Sequence, residues 1–282
     1  MSLFQLSEVK ALLKQLDHYP RKVLSQNFLV DGNVLQKIMR TASIEPGDKV
    51  LEIGPGLGAL TEALLNGECL VTAVEKDHNL SKHIKAHFDN NRLTLLEDDF
   101  LNLDLEKVFK SDDLSKKVKV VANIPYKITG IIIKTLIQLP HLFSCIVLMV
   151  QKEFAERMVA KCGDKNYSSF TLLTQVFSEA KIAFTVAPSC FHPQPSVDSV
   201  VIKLIPKQMN PDIDTAHLLQ IIHLSFAQRR KKFTTSLKNH FLKEDLIKAL
   251  EDENINLNAR PQELTLDQFT ALSKRLRPSS TQ

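Results

Sequence analysis

Short apolar runs alternate with amphipathic segments through the first half of the chain. The runs are rich in Val, Ile and Leu and apolar throughout, which is typical of strands covered on both faces. They predict five strands, at Lys49–Gly54, Leu70–Glu75, Leu93–Leu96, Val118–Asn123 and Cys145–Val150. Helical periodicity predicts helices between them, at 57–66, 78–89, 101–109 and 129–138. This alternation predicts an α/β fold with a mostly parallel sheet and helices on both faces.

Two further apolar runs, Ile182–Ala187 and Val197–Ile205, follow a predicted helix at about 168–178. Only a short Pro-rich turn separates them, which is too short for a helical crossover, so we expect them to pair antiparallel. They bring the expected number of strands to seven.

The composition changes at Pro206–Pro211, which we interpret as a linker. Beyond it the apolar periodicity is helical throughout, at 218–226, 233–242, 246–250 and 266–272. We therefore expect a first domain over 1–207 and a small all-α domain over 208–282. The last residues, Pro278–Gln282, have a composition typical of disorder.

Composition restricts the class of protein only broadly. With 44% apolar and 24% charged residues, the chain lies in the ordinary globular range. Its four cysteines are widely spread, with no Cys-x-x-Cys pair and no His at ligand spacing, so we expect reduced thiols and no metal. No secretory signal or membrane-spanning stretch is evident, and we expect a soluble, cytoplasmic protein without membrane contact, a monomer.

The net charge of +4 is mild, but its distribution is uneven. The segment from Arg229 to Lys243 contains six basic residues and no acid. Such a run is either a solvated helix face or a surface for a polyanion. Our candidates for phosphate contacts are Arg21, Lys22, Arg229, Arg230, Lys231 and Lys232.

A glycine-rich turn follows the first predicted strand, in Glu52-Ile53-Gly54-Pro55-Gly56-Leu57-Gly58. Glycines allow a tight turn that brings backbone close to a ligand, and the following helix offers unpaired N–H groups. The acid directly before the loop would repel a pyrophosphate but suits an ammonium group. The spacing G-x-G-x-G also differs from the G-x-G-x-x-G of dinucleotide sites.

Two more acids follow neighbouring strands. Glu75 closes the second strand, where its carboxylate can accept both hydroxyls of a ribose, and Asp99 follows the third, where it can accept an adenine amino group. The alternative is a plain turn with strand-end acids that face water.

The fourth strand ends in Asn123-Ile124-Pro125-Tyr126. This tetrapeptide resembles the motif of methyltransferases that act on the N6 amino group of adenine, a poor nucleophile. The Asn123 side-chain oxygen and the Ile124 carbonyl can accept its two N–H protons and stabilise the charge that develops. Pro125 stiffens the turn, and the Tyr126 ring can stack on an extruded base.

Other segments narrow the resemblance to the rRNA adenine dimethyltransferases. Ser25-Gln26-Asn27-Phe28-Leu29 is similar to a family segment that covers the methionine end of S-adenosylmethionine, which implies that Asn27 and Leu29 contact this cofactor together with Glu52, Gly54, Gly56, Glu75, Asp99 and Asn123. The family has Gly where this chain has Ser25. Phe191, in a segment similar to Phe-x-Pro-x-Pro-x-Val-Asp-Ser, would cover the second face of the base; the alternative is a core residue.

The resemblance implies a class I methyltransferase fold, Rossmann-like, with a helical C-terminal domain. Within the family, Phe226–Lys232 and Arg260–Leu264 resemble the enzymes that dimethylate two adjacent adenosines near the 3′ end of 16S-type rRNA, in an assembling small (30S-type) subunit. Three alternatives stay open: a 23S-type large-subunit methyltransferase that gives macrolide resistance, a non-catalytic assembly factor, and an NAD-dependent dehydrogenase, which would need a pyrophosphate loop and a hydride-site His.

Overall fold

The computed structural model describes residue 3 and residues 5–20, 26–110 and 116–276. The chain divides into two compact units. The first consists of Met1–Ala155 and Ala180–Pro206, and the second of Glu156–Glu179 and Lys207–Gln282. The second unit thus begins again at the predicted linker, but it also includes a segment that the predicted division at 207/208 assigned to the first domain.

A seven-stranded sheet organises the first unit. Its strands are β2 (Lys49–Ile53), β3 (Leu70–Glu75), β4 (Leu93–Glu97), β5 (Val118–Asn123), β6 (Phe143–Gln151), β7 (Ser178–Val186) and β9 (Ser199–Pro206). The order is β4-β3-β2-β5-β6-β9-β7. The five strands from β4 to β6 are parallel, and β9 runs antiparallel to β6. The mostly parallel sheet is confirmed, and the last two predicted strands are neighbours in it.

The described residues up to Val159 form seven α-helices: α1 (Leu6–Gln15), α2 (Gly32–Thr41), α3 (Ala59–Asn66), α4 (His78–His87), α5 (Leu105–Val108), α6 (Thr129–Ile137) and α7 (Lys152–Val159). Aspartate side chains cap three of them, α2, α4 and α5. Asp31 accepts backbone N–H groups at the start of α2, and Asp77 does so at the start of α4. Such caps satisfy N–H groups that the first turn leaves without a partner.

The strand order reverses at β2, which lies between β3 and β5. In open parallel sheets, ligands bind beyond the carboxyl ends of the strands at such a reversal. The three strands that meet there end in Ile53, Glu75 and Asn123. The topology therefore brings the glycine loop, the strand-end acid and the Asn-Ile-Pro-Tyr motif to one edge of the sheet.

The second unit is helical, with α8 (Ser169–Phe177), α9 (Thr215–Ala227), α10 (Phe233–Leu237), α11 (Lys243–Asp252) and α12 (Leu266–Arg275). Phe233 and Phe269 are fully buried in its core, with ring centroids 5.9 Å apart. The Tyr167 hydroxyl donates to the Leu264 carbonyl at 2.9 Å. These contacts explain why 156–179 groups with the C-terminal helices. The predicted disorder at Pro278–Gln282 lies outside the described residues.

Some elements differ from the prediction. The expected helix at 101–109 is a 3₁₀ turn, Phe100–Asn102, followed by the short α5, because Asp104 caps a new start at Leu105. The expected helix at 233–242 ends at Leu237. Helices α1, α2 and α7 were not predicted, nor were the two-residue strands β1 (Phe28–Leu29) and β8 (Phe191–His192). No helix among the described residues is long and apolar enough to span a membrane.

Candidate active site

A cavity of about 390 Å³ opens at the carboxyl ends of β2, β3 and β5. This volume lies within the range of about 300–1,000 Å³ that is usual for small-molecule sites. Its lining includes the predicted site residues Asn27, Leu29, Glu52, Gly54, Gly56, Glu75, Asp99, Asn123, Ile124, Pro125 and Tyr126. The structure therefore brings together residues that sequence reasoning took from separate segments.

The glycine loop has a left-handed backbone at all three glycines, with φ of 69° at Gly54, 60° at Gly56 and 93° at Gly58. Residues other than Gly rarely adopt such backbone angles without strain. At Gly58 space is also lacking, because an added Cβ would lie 2.5 Å from the Phe88 ring and 2.9 Å from Ile84. This close approach lets α3 begin directly after the loop.

Glu52 is the most buried acid of the site, with only 1% of its surface exposed. Its carboxyl accepts a hydrogen bond from the Thr61 hydroxyl at 2.7 Å. Burial raises the pKa of Glu52 from its ordinary 4.5 to about 8, and nearby Glu75 adds to this rise, while the Thr61 hydrogen bond opposes it. Without a neighbouring cation, the group is therefore mostly neutral at pH 7.

Glu75 is also buried, at 6% exposure, and its two oxygens are held by backbone. One accepts the N–H of Asp77 at 2.8 Å, and the other accepts the N–H of Gly56 at 3.1 Å. Burial raises the pKa of Glu75, and these hydrogen bonds partly offset the rise. The second bond ties the end of β3 to the glycine loop, so the carboxylate has a fixed position at the cavity wall.

Asp99 lies at a more open part of the cavity. It caps the 3₁₀ turn by accepting the Leu101 N–H at 3.0 Å, and it pairs with the Lys76 ammonium at 2.6 Å. The hydrogen bond from Lys76 is the main cause that holds the pKa of Asp99 below its usual range. Asp99 is therefore ionised at neutral pH, in contrast to Glu52.

Asn123 ends β5, and its side-chain amide group donates to the Asn27 carbonyl at 3.0 Å. Because a carbonyl can only accept, this bond fixes which end of the amide is nitrogen. The Asn123 Oδ1 atom is therefore the end that remains for a donor from a ligand. The contact joins the Asn-Ile-Pro-Tyr motif to the segment before β1, 96 residues away in the sequence.

Tyr126 begins a 3₁₀ turn, Tyr126–Ile128, that follows Pro125. Its hydroxyl and that of Ser199, a buried residue of β9, are 2.6 Å apart. Burial raises the pKa of Tyr126, so the hydroxyl stays protonated. The hydrogen bond holds the ring by its far end. Ile124, between the two polar residues, is buried at 2% exposure.

Phe191 does not line this cavity. It pairs with Leu29 in the two-stranded ladder of β1 and β8, and its side chain, 1% exposed, packs in the main core with Met149 and Val201. The ladder turns the ring inward, which is the arrangement expected of a core residue. That Phe191 covers the second face of a base stays a prediction.

The basic residues predicted to contact phosphates differ in their hydrogen bonds and exposure. Arg229 donates to Gln262 Oε1 at 2.9 Å and to the carbonyls of Lys165 and Asp164 at 2.6 and 3.3 Å. It therefore links segments of the second unit, and its role as a phosphate contact stays a prediction. Arg230 and Lys231 are exposed, and the exposed Lys232 donates to Asn258. Arg21, Lys22 and Ser25 lie outside the described residues.

Three residues of the site region were missed by sequence reasoning. Thr61 donates to Glu52, Ser199 holds Tyr126, and His83, buried on α4, donates to the Leu57 carbonyl of the glycine loop at 3.2 Å. Only Ser199 had a signal, since it ends the Phe-x-Pro-x-Pro-x-Val-Asp-Ser segment. The other two contacts depend on how helices pack on the loop.

The charges around the cavity fit a cationic ligand with hydroxyl donors. Four acids line it (Glu52, Glu75, Asp98 and Asp99), against two bases, Lys76 and Lys127, and Lys76 already pairs with Asp99. A buried carboxyl such as Glu52 is costly unless a cation or a proton compensates it. The same lining would repel the pyrophosphate of a dinucleotide, which argues against the dehydrogenase alternative.

The family model for ribosomal RNA adenine dimethylase matches residues 18–277 of the chain. The chain belongs to this family. Among curated proteins it is 41% identical to the ribosomal RNA small subunit methyltransferase A of Protochlamydia amoebophila, over 96% of both chains. It is 39% identical to the protein of that name from Lactobacillus acidophilus, over 95% of both.

Two solved structures agree with the family assignment. A dimethyladenosine transferase from Plasmodium falciparum is 32% identical, with a TM-score of 0.74 over 86% of this chain and 95% of the other. The 23S rRNA methyltransferase ErmE is 26% identical, with a TM-score of 0.67 over 89% and 99%. The expected class I methyltransferase fold is confirmed by these similarities and by the sheet order.

Proposed function

We propose that this protein dimethylates N6 of two adjacent adenosines near the 3′ end of small-subunit rRNA, in the assembling subunit, with S-adenosylmethionine as the methyl donor. The observation that carries the proposal is the shared cavity. Asn123, Pro125 and Tyr126 line the same 390 Å³ space as Glu52, the glycine loop and Glu75. A target amino group and a cofactor can therefore meet there.

The cofactor assignment rests on the chemistry of the lining. S-adenosylmethionine supplies a methyl group on a sulfonium centre, together with an ammonium, a ribose diol and an adenine. Glu52 is suited to the ammonium, Glu75 to the ribose hydroxyls and Asp99 to the adenine amino group. The loop at Gly54 and Gly56 lets the backbone approach the ligand, and Asn27 and Leu29 close the cavity from the N-terminal side.

The substrate side of the site acts on the amino group of the target base. In the first transfer the Asn123 Oδ1 atom accepts one N–H and the Ile124 carbonyl accepts the other, which directs the nitrogen lone pair away from the purine ring. One proton leaves the nitrogen with each methyl gained, so in the second transfer a single N–H remains for these two acceptors. Both acceptors also stabilise the positive charge that develops on nitrogen. The Tyr126 ring, held by Ser199, provides a face on which the extruded base can stack.

The choice of small-subunit rRNA rests on the relatives. Those named small subunit methyltransferase A are 35–41% identical to the chain, whereas the 23S rRNA enzyme is 26% identical. The intact Asn123, Tyr126 and Glu75 favour an enzyme over a non-catalytic assembly factor. For RNA outside the cavity we retain six candidate phosphate contacts, and we expect the protein to act as a cytoplasmic monomer. The six are Arg21, Lys22, Arg229, Arg230, Lys231 and Lys232.

Three substrates offered to the purified protein with labelled S-adenosylmethionine test the proposal. They are small subunits lacking the modification, naked small-subunit rRNA and naked large-subunit rRNA. We expect dimethylation of small subunits at two neighbouring adenosines, mapped by reverse-transcription stops, and little on large-subunit rRNA. Methylation of naked large-subunit rRNA alone would overturn the proposal. Absence of methylation on all three would favour the assembly-factor alternative.

A further inference from the structure

A second concave surface lies beside the cavity, formed by α6 and Phe154 of α7. We call it the α6 groove, and its lining includes Tyr126, Lys127, Ile131, Lys134, Gln138 and Phe154. Tyr126 and Lys127 line both the groove and the cavity. The groove is therefore a direct continuation of the proposed substrate site.

Helix α6 has two contrasting faces. Ile132, Ile133, Leu136 and Ile137 are fully buried against the rest of the first unit. On the other face, Ile131 and Lys134 are exposed, and Lys127 before the helix and Gln138 after it continue this line at helical spacing and are exposed as well. Ile131 is 55% exposed, so the groove presents an apolar side chain between two lysines.

The charge of the groove has a single sign. From Tyr126 to Gln138 the sequence contains two lysines and no acid, and no carboxylate is among the groove-lining residues. Within the described parts of the chain, neither Lys127 nor Lys134 takes part in a recorded ion pair. Cationic side chains next to an apolar surface match a nucleotide, which combines a phosphate with an aromatic base.

We propose that the α6 groove binds the nucleotide that flanks the target adenosine in the same RNA strand. Its base lies against Ile131 and Phe154, and its phosphate is held by Lys134. The covalent continuity of the strand supports this occupant, because a base extruded into the cavity brings its neighbour to the cavity edge. The inference rests on the proposed function and adds a site for a second nucleotide.

Crosslinking identifies the occupant directly. A benzophenone amino acid is placed at Gln138, at the far end of the groove, and the protein is irradiated with small subunits lacking the modification. We expect a crosslink to a nucleotide directly adjacent to a target adenosine, mapped by primer extension. The same group at Lys82, an exposed position of α4, serves as the control. A crosslink to a ribosomal protein or to distant rRNA would overturn the inference.

Two substitutions test the energetic contribution, Ile131→Ser and Lys134→Gln, with Lys82→Gln as the matched control. We expect each groove variant to lower kcat/KM on small subunits about tenfold without changing cofactor affinity, Ile131→Ser through the lost apolar contact with the base and Lys134→Gln through the lost phosphate contact. Lys134→Gln should also reduce the magnitude of the log–log salt slope by about 0.7, the single-strand value per contact.

The outcomes separate the two proposals. If the unmodified enzyme methylates small subunits and both groove variants behave like Lys82→Gln, the groove inference is wrong while the proposed function stands. If the unmodified enzyme methylates no rRNA, the proposed function itself fails. Thermal unfolding of Ile131→Ser checks its fold, which should be unaffected because the side chain is largely exposed.

Discussion

Replacing Glu52 with Gln removes the charge of this side chain while keeping its shape. The carboxyl is 1% exposed, and burial raises its pKa to about 8. At that pKa, about 1% of the free enzyme carries an ionised Glu52 at pH 6, and about half does at pH 8. If the cationic cofactor binds only the ionised form, its affinity should rise about 50-fold between these pH values.

Isothermal titration calorimetry with S-adenosylmethionine measures this dependence. Titrations at pH 7 in buffers of different ionisation enthalpy should show release of about 0.9 proton per cofactor bound, from the fraction of Glu52 that must ionise. Glu52→Gln should bind more weakly at pH 8 and lose the pH dependence. A wild-type affinity that is flat from pH 6 to 8, or an equal rise in the variant, would refute the assignment of Glu52 to the ammonium.

The same substitution should have the opposite effect on folding of the free protein. The folded-state pKa of Glu52, about 8, lies above the ordinary 4.5, so the folded state binds more protons between these values. The free energy of unfolding contributed by this group therefore falls as pH rises from 4.5 through 8. Without cofactor at pH 8, Glu52→Gln should be more stable than wild type by on the order of 1 kcal/mol or more, measured by denaturant unfolding.

Three further changes separate cofactor binding, chemistry and RNA contact. Glu75→Ala should weaken cofactor binding and lower Tm slightly, because the Gly56 N–H loses its acceptor; calorimetry on the folded variant checks this. Asn123→Ala should slow single-turnover methylation by about 10²–10³-fold and leave RNA affinity nearly unchanged. The double variant Arg230→Gln, Lys231→Gln should reduce the magnitude of the log–log salt slope for RNA binding by up to about 0.7 per lost contact.

Each of these predictions has a control or a contradicting result. Unchanged cofactor affinity in folded Glu75→Ala would remove this residue from the site, and a near-normal rate in Asn123→Ala would contradict the mechanism. For the RNA contacts the control is Lys82→Gln, at an exposed position of α4, which should leave the salt slope unchanged. An unchanged salt slope in the double variant would favour the alternative interpretation of the basic run, a solvated helix face.

The sheet was predictable because its central strands β2, β3, β5 and β6 are short segments rich in Val, Ile and Leu. The strand-end residues Glu75 and Asn123 then had to meet, since carboxyl ends of parallel strands lie at one edge. The strands β1 and β8 were not predictable, because two residues carry no periodicity and their pairing depends on tertiary contacts. The burial of Phe191 follows from that pairing, so it could not be read from the sequence either. From the sequence, the aromatic ring in the motif suggested only a stacking role.

The distribution of charge along the sequence also predicted less than the structure shows. The run from Arg229 to Lys243 shows where cations concentrate, but it does not show which guanidinium is used by carbonyls of the same unit. Arg229 contacts residues 33 to 65 positions away, so no local pattern reports its role. The contact from Thr61 to Glu52 was hidden for a related reason, since it depends on how α3 packs after the glycine loop.

The bonds of Arg229 bear on how relatives of this chain are to be interpreted. This residue lies in the Phe226–Lys232 segment that resembles the small-subunit enzymes, yet its side chain binds carbonyls within the helical unit. A gene copy that had lost Asn123 could keep all these bonds and would still resemble the family over its C-terminal third. Similarity in that third therefore shows only that the helical unit has been kept. Whether a relative has kept the activity is shown by the residue at the end of β5, Asn123 in this chain.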